Sequence, residues 1–211
     1  MFAKLLDYVI HIDVKLGAII NHYGHWGYAI LFAIIFLETG VVFMPFLPGD
    51  SLLFAAGAFA SKGFFDPILL FVLLSIAAIA GDATNYWIGS HIGKRIENSQ
   101  NPFISKDYLM RTQDFYNKHG KKTIIFARFL PILRTFAPFV AGIAKMRYSE
   151  FVSYNVIGGI AWVGLFVFGG YFFGNIPVVE RNFTYVILAI VAISTAPAVF
   201  EFWKHRRRRK A

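Results

Sequence analysis

Residues 123–142 read TIIFARFLPILRTFAPFVAG. The run has the apolar character of a membrane segment, yet Arg128, Pro131, Arg134 and Pro138 interrupt it. A guanidinium at bilayer depth costs roughly 2.5–3.5 kcal/mol on insertion scales, so each arginine must reach water, a counter-ion or an anion. The prolines remove backbone donors and break the helix, which a membrane tolerates only where the freed groups line a cavity or touch protein. An unbroken helix of about 20 residues just spans the hydrocarbon, and one broken twice falls short. The stretch is therefore read as a re-entrant hairpin that carries two cations into the membrane. The competing reading is a kinked spanning helix with Arg128 snorkelling to the cytoplasmic surface.

The rest of the chain suits the same surroundings. It is 57% hydrophobic and 18% aromatic, with a mean hydropathy of +0.56. Only 16% of residues are charged, against about a quarter in soluble domains. This is the composition of an integral membrane protein, and the chain is read as one all-α membrane domain over residues 1–211. The absence of cysteine excludes disulfides and thiol chemistry. The opening MFAKLLDYVIHIDVK lacks a basic n-region and a small-residue cleavage site, so it is expected to stay in the mature chain.

The net charge of +9 is concentrated in two places. Residues 94–122 hold seven basic and three acidic groups, residues 201–210 hold six and one, and everything else sums to zero. The positive-inside rule places both segments, and with them the C-terminus, in the cytoplasm. The tail HRRRRK could bind nucleic acid, but beside a spanning helix topology and anionic headgroups account for it. No nucleic-acid partner is expected.

In chain order, residues 3–22 mix apolar positions with Lys4, Asp7, His11, Asp13 and Lys15, which suits a helix lying in the interface. Nothing near His11 and Asp13 completes a metal ligand set, so no metal is expected. Residues 27–44 are apolar and carry Glu38, followed by PFLPGDS at 45–51 and a short apolar arm at 52–60. That arm is about 14 Å long at helical rise, too short to cross. This is a second re-entrant candidate, carrying Glu38 and Asp50 where the later one carries arginines.

Residues 67–93 form a crossing helix with Asp82 near mid-membrane, as either a coupling group or a hydrogen-bonding group between helices. Gly81, Asn85, Gly89 and Gly93 recur every four residues and mark a face for close packing. Residues 98–119 read as a cytoplasmic surface helix. Residues 150–173 cross again, with Asn155, Gly158 and Trp162 inside, and residues 183–203 cross a third time, bent at Pro197.

Sliding the chain by 85 residues places Ala56-Gly57 on Ala141-Gly142, Lys62 on Arg147 and Tyr86-x-x-Gly89 on Tyr171-x-x-Gly174. With two residues of slack, Phe46-Leu47-Pro48 falls on Phe129-Leu130-Pro131. Each unit reads surface helix, re-entrant hairpin, transmembrane helix: about 1–93, then about 98–175. A C-terminal transmembrane helix at about 183–203 and a basic tail at 204–211 follow. One crossing per unit inserts the second copy upside down, and inverted repeats with broken helices describe transporters.

Four ionisable groups lie in the hairpins: Glu38, Asp50, Arg128 and Arg134. Meeting tip to tip, two acids would face two bases in low dielectric, either as a static ion-pair cluster or as a site. In the second reading the arginines hold an anion through their planar forks, and the carboxylates exchange protons. Enzyme signatures are missing, since neither G-x-S-x-G nor H-E-x-x-H occurs. A membrane phosphatase using Lys121 and Arg128 would need a histidine nucleophile, for which His119 is the sole candidate. The chain is read as not an enzyme.

Glu38 followed by P-F-L-P-G-D, then G-D-x-x-x-Y-x-x-G-x-x-x-G at 81–93, then F-x-R-F-x-P-x-x-R at 126–134, resemble the DedA family of bacterial inner-membrane proteins. The likeness covers nearly the whole chain. That family shares its core, the VTT or SNARE-associated domain, with eukaryotic lipid scramblases of the endoplasmic reticulum. The resemblance implies two re-entrant hairpins in inverted repeat, a multi-pass protein of the bacterial inner membrane, and dependence on protons or membrane potential. It also implies a flippase that returns an anionic lipid carrier, undecaprenyl phosphate, to the cytoplasmic leaflet without a cofactor. The family's essential acids fall on Glu38 and Asp50, and its essential arginines on Arg128 and Arg134. The expected partners are membrane lipids (a polyprenyl phosphate or a phospholipid) and protons, with a homo-oligomer left open. An energy-independent phospholipid scramblase and a proton-coupled exporter of small cations are the alternatives.

Overall fold

The computed structural model describes residues 26–41, 49–98, 123–174, 176–182, 185–186 and 188–190. Among them the regular structure is helical: α1 (Trp26–Gly40), α2 (Gly49–Ser61), α3 (Pro67–Asn98), α4 (Thr123–Ala127), α5 (Pro131–Ile143), α6 (Tyr148–Phe173) and α7 (Pro177–Arg181). The surface helices expected at 3–22 and 98–119 lie wholly or largely outside the described residues. So do the turn at 45–48, the bent crossing at 183–203 and the tail at 204–211.

Among the described residues, two helices are long and apolar enough to cross a bilayer. They are Pro67–Lys94, with 28 residues and a mean hydropathy of 2.0, and Tyr148–Phe173, with 26 residues and 1.9. Large apolar side chains stay exposed along both, among them Ile68, Val72 and Ile76 on α3 and Ile157, Leu165 and Phe172 on α6. Apolar exposure on that scale needs an apolar surrounding. The helices α1, α2 and α5 have 15, 13 and 13 residues. At about 1.5 Å per residue each falls short of the roughly 30 Å hydrocarbon core.

The run at 123–142 breaks once, before Pro131, and not twice as its two prolines suggested: Pro138 lies inside the continuous helix α5. After Ala127 the N–H groups of Arg128, Phe129 and Leu130 bond to the carbonyls three residues back, at 3.2, 3.2 and 3.0 Å. This is a tight turn of the 3₁₀ type. Pro131 then opens α5 at its first helical position, where no donor is needed. Asn182 and the rest of the α7 region follow after α6.

Each long helix holds one member of both short-helix pairs. α3 packs on α1 and α5, and α6 packs on α2 and α4. Two seams are close enough to require glycine. A Cβ on Gly170 would strike the Phe54 carbonyl and one on Gly57 the Val167 carbonyl. At the other seam Gly89 faces the Phe139 carbonyl in the same way and Gly142 the Tyr86 carbonyl. Matched across the seams, the short helices correspond at 85 residues (Phe54 with Phe139, Gly57 with Gly142). The long helices correspond at 81 (Gly89 with Gly170, Tyr86 with Val167). The pairing of Tyr86-x-x-Gly89 with Tyr171-x-x-Gly174 is thus one helical turn out of register.

The ends of α2 and α5 also match. Phe64 N–H reaches the Phe59 carbonyl and Met146 N–H the Ala141 carbonyl, both at 3.1 Å. The residue before each is left-handed, Gly63 at φ 83° and Lys145 at φ 56°, as a Schellman end requires.

The spaced face 81–93 of α3 does serve close packing. Gly81 lies against Thr39 and Gly40, and Gly93 against Ile143. Trp87, His91 and Tyr148 cluster toward the end of α3, with Trp87 and Tyr148 edge to face at 5.7 Å, the kind of aromatic group found at the bilayer interface. Asp82 lies about 18 Å from Lys94 along the helix.

Candidate functional site

The five acids and arginines singled out in the sequence are all buried, with Glu38 and Asp82 at 0%, Arg128 at 1% and Arg134 at 2% exposure. They form two clusters rather than one set of two acids facing two bases.

The first cluster joins the two short-helix pairs. Arg134, in the first turn of α5, bonds to Glu38 Oε1 through Nη2 and to Asp50 Oδ1 through Nη1, the latter at 2.8 Å. Glu38 Oε1 also accepts the Gly49 N–H at 3.2 Å. A carboxylate thereby covers the electropositive start of α2. A Cβ at Gly49 would occupy the place of the Glu38 carboxyl, so Pro-Gly-Asp carries its glycine for close approach. Trp162 of α6 completes the group. Its Nε1–H donates to Asp50 Oδ1 at 2.9 Å, and the Arg134 Cζ lies 4.5 Å from its ring centroid.

In the second cluster Arg128, within the turn between α4 and α5, bonds through Nη2 to Asp82 of α3 and to Asn155 of α6. Asn155 Nδ2 donates to the Ile79 carbonyl at 3.0 Å, which fixes its oxygen toward the guanidinium. Gly158 and Gly159 make room for the arginine, since a Cβ at either would come within 3.0 and 3.4 Å of its side chain. Arg128 therefore stays inside, and the snorkelling reading fails. Asp82 is the counter-ion of Arg128, so it tethers α3 to the turn before α5.

Asn85 lies between the clusters and donates to the Thr39 carbonyl at 3.3 Å and the Thr135 carbonyl at 2.6 Å. It ties the end of α1 to α5 through α3. The sequence reading gave no site role to Trp162, Asn155 or Asn85. The available signal was their placement as polar or hydrogen-bonding groups inside apolar helices, where an unmet donor or acceptor is expensive.

Neither cluster is saturated. Arg134 Nε, Glu38 Oε2, Arg128 Nε and Nη1 and Asp82 Oδ1 are buried and have no hydrogen-bond partner among the described residues. The free N–H groups can serve the oxygens of an anion, and the free carboxylate oxygens a proton. Among the described residues no group of three or more His, Cys, Asp or Glu side chains is placed to hold a metal ion. His11 and Asp13 lie outside them.

The protein-family model described as the VTT domain matches residues 47–172. Protein DedA of Escherichia coli (strain K12) is 52% identical over 206 residues, covering 96% of this chain and 94% of that protein. An uncharacterized membrane protein of Mycobacterium tuberculosis (strain ATCC 25618 / H37Rv) is 41% identical over 196 residues, covering 89% and 86%. The inner membrane protein YghB of Escherichia coli (strain K12) is 33% identical over 175 residues, covering 80% of each chain. No solved structure matches.

Proposed function

The chain belongs to the DedA family of VTT-domain membrane proteins, and we propose that it is a lipid flippase. It moves an anionic lipid carrier, undecaprenyl phosphate, between leaflets of the bacterial inner membrane, with proton or membrane-potential coupling. The observation that carries this reading is the buried Arg134 held between Glu38 and Asp50 where two short helices meet. A planar guanidinium can exchange two carboxylates for a phosphate without losing its bidentate bonds. The cluster holds two carboxylates and one guanidinium, and one proton balances it. Release of Glu38 when phosphate binds is thus linked to uptake of that proton, while Asp50 stays ionised. Arg128 is the second phosphate-binding arginine, with Asp82 as its counter-ion.

Reciprocal packing of the two short-helix pairs on the two long helices supports an inverted repeat within a single membrane domain. On that topology α1–α2 and α4–α5 are re-entrant hairpins entering from opposite faces, and the C-terminus is cytoplasmic. The chain lacks cysteine, so single cysteines at positions 122 and 145 can be labelled cleanly. Both should resist an impermeant reagent outside intact cells and react once the membrane is opened. Labelling of the two positions from opposite sides would make 123–142 a spanning segment.

Binding tests the headgroup directly. Purified protein should bind a short-chain polyprenyl phosphate and leave the corresponding uncharged polyprenol unbound. Equal affinity for both would remove phosphate recognition and leave the scramblase alternative.

A further inference from the structure

Trp162 is fully buried in α6 and touches both halves of the Glu38–Asp50–Arg134 cluster. Its indole N–H donates to Asp50 Oδ1 at 2.9 Å, the same oxygen that accepts Arg134 Nη1 at 2.8 Å. Its ring lies under the guanidinium carbon at 4.5 Å. An indole N–H is a donor only, so it can serve the carboxylate and never competes for the arginine's own donors. The ring face attracts a cation through its quadrupole, with no demand on any N–H of the guanidinium. Tryptophan here therefore leaves Arg134 electrostatically held and its hydrogen bonds free to change partner.

We propose that Trp162 is a positioning residue of the lipid site: it retains the Asp50 carboxylate when Arg134 turns from that carboxylate to a phosphate. The inference rests on the phosphate-binding reading of Arg134. With lipid absent, Asp50 has two side-chain donors among the described residues, Arg134 and Trp162. With the phosphate on Arg134, Asp50 keeps one. Without the indole N–H that carboxylate would be stranded in a buried site, and the exchange would become unfavourable. The charged groups around it are Glu38 from α1 and Arg134 from α5. The Arg128–Asp82 pair belongs to the second cluster.

The test is a double-mutant cycle read as binding of a short-chain polyprenyl phosphate to purified protein. Trp162→Phe keeps an aromatic shelf and removes the N–H. It should weaken binding about tenfold, because the bond is lost in both states and only the extra cost of leaving the carboxylate with no donor in the bound state counts. In an Asp50→Asn background, where no charge can be stranded, the same substitution should change affinity less than threefold. Should the phenylalanine variant not fold, 3-benzothienylalanine placed at 162 by stop-codon suppression keeps the bicyclic shape and lacks the donor. The same loss is expected from it. A loss of equal size in both backgrounds would assign Trp162 to packing alone and overturn the inference, as would unchanged affinity in Trp162→Phe. A wild-type protein that fails to bind the lipid phosphate would defeat the flippase reading, and this inference with it.

Discussion

Replacing Arg134 with alanine should leave little folded protein in the membrane. Its side chain is the shared counter-ion of Glu38 and Asp50, and its removal strands two carboxylates in a buried site. Breaking one buried pair costs about 3–5 kcal/mol, a large share of the roughly 5–15 kcal/mol by which proteins are stable. Removing the charges together has a different effect. The triple variant Arg134→Met, Glu38→Gln, Asp50→Asn leaves no charge unpaired and should recover folding while losing lipid binding. Yield and thermal midpoint on detergent size exclusion measure both variants. An Arg134→Ala protein as abundant and heat-stable as wild type would show that the cluster is not held as described. Recovery of binding in the triple variant would show that the charges have no part in recognition.

Lysine at either arginine position should impair binding without loss of the fold. Arg134 reaches Glu38 and Asp50 through two different nitrogens, and Arg128 reaches Asp82 and Asn155 from one. Lysine keeps the positive charge and discards the planar fork. A hydrogen bond to a charged group is worth roughly 1.5–3 kcal/mol. Loss of one should weaken binding of a short-chain polyprenyl phosphate about ten- to a hundredfold in Arg134→Lys and Arg128→Lys. Equal affinities in wild type and both variants would remove the arginines from recognition.

The break in 123–142 was legible because Pro131 interrupts the helix and two arginines forbid plain lipid exposure, whereas the second break read at Pro138 is absent, since that proline lies inside α5. Burial of Glu38, Asp50, Asp82, Arg128 and Arg134 followed from the same cost. Their division into two clusters did not. Which acid meets which arginine depends on how α3 and α6 are rotated and slid against the shorter helices, and spacing along one chain carries no such information. The repeat shows the limit well. A single shift of 85 fits Gly57 and Gly142, yet the contacts align Gly89 with Gly170 at 81. Trp162 was named inside its helix but given no site role, because a tryptophan in an apolar helix reads first as packing and its N–H matters only once Asp50 lies beside it. Asn155 and Asn85 were visible as polar residues in apolar spans, but their partners, the Arg128 guanidinium and the Thr39 and Thr135 carbonyls, lie far away in sequence.

The most direct measurement is translocation of a labelled polyprenyl phosphate across liposomes containing the purified protein, with and without an imposed proton gradient. Wild type should move this lipid faster than protein-free liposomes do and faster than it moves phosphatidylethanolamine, with a rate that responds to the gradient. Glu38→Gln, which cannot titrate at that position, should lose the response. Translocation no faster than in protein-free liposomes, or equal movement of both lipids with no response to the gradient, would contradict the account.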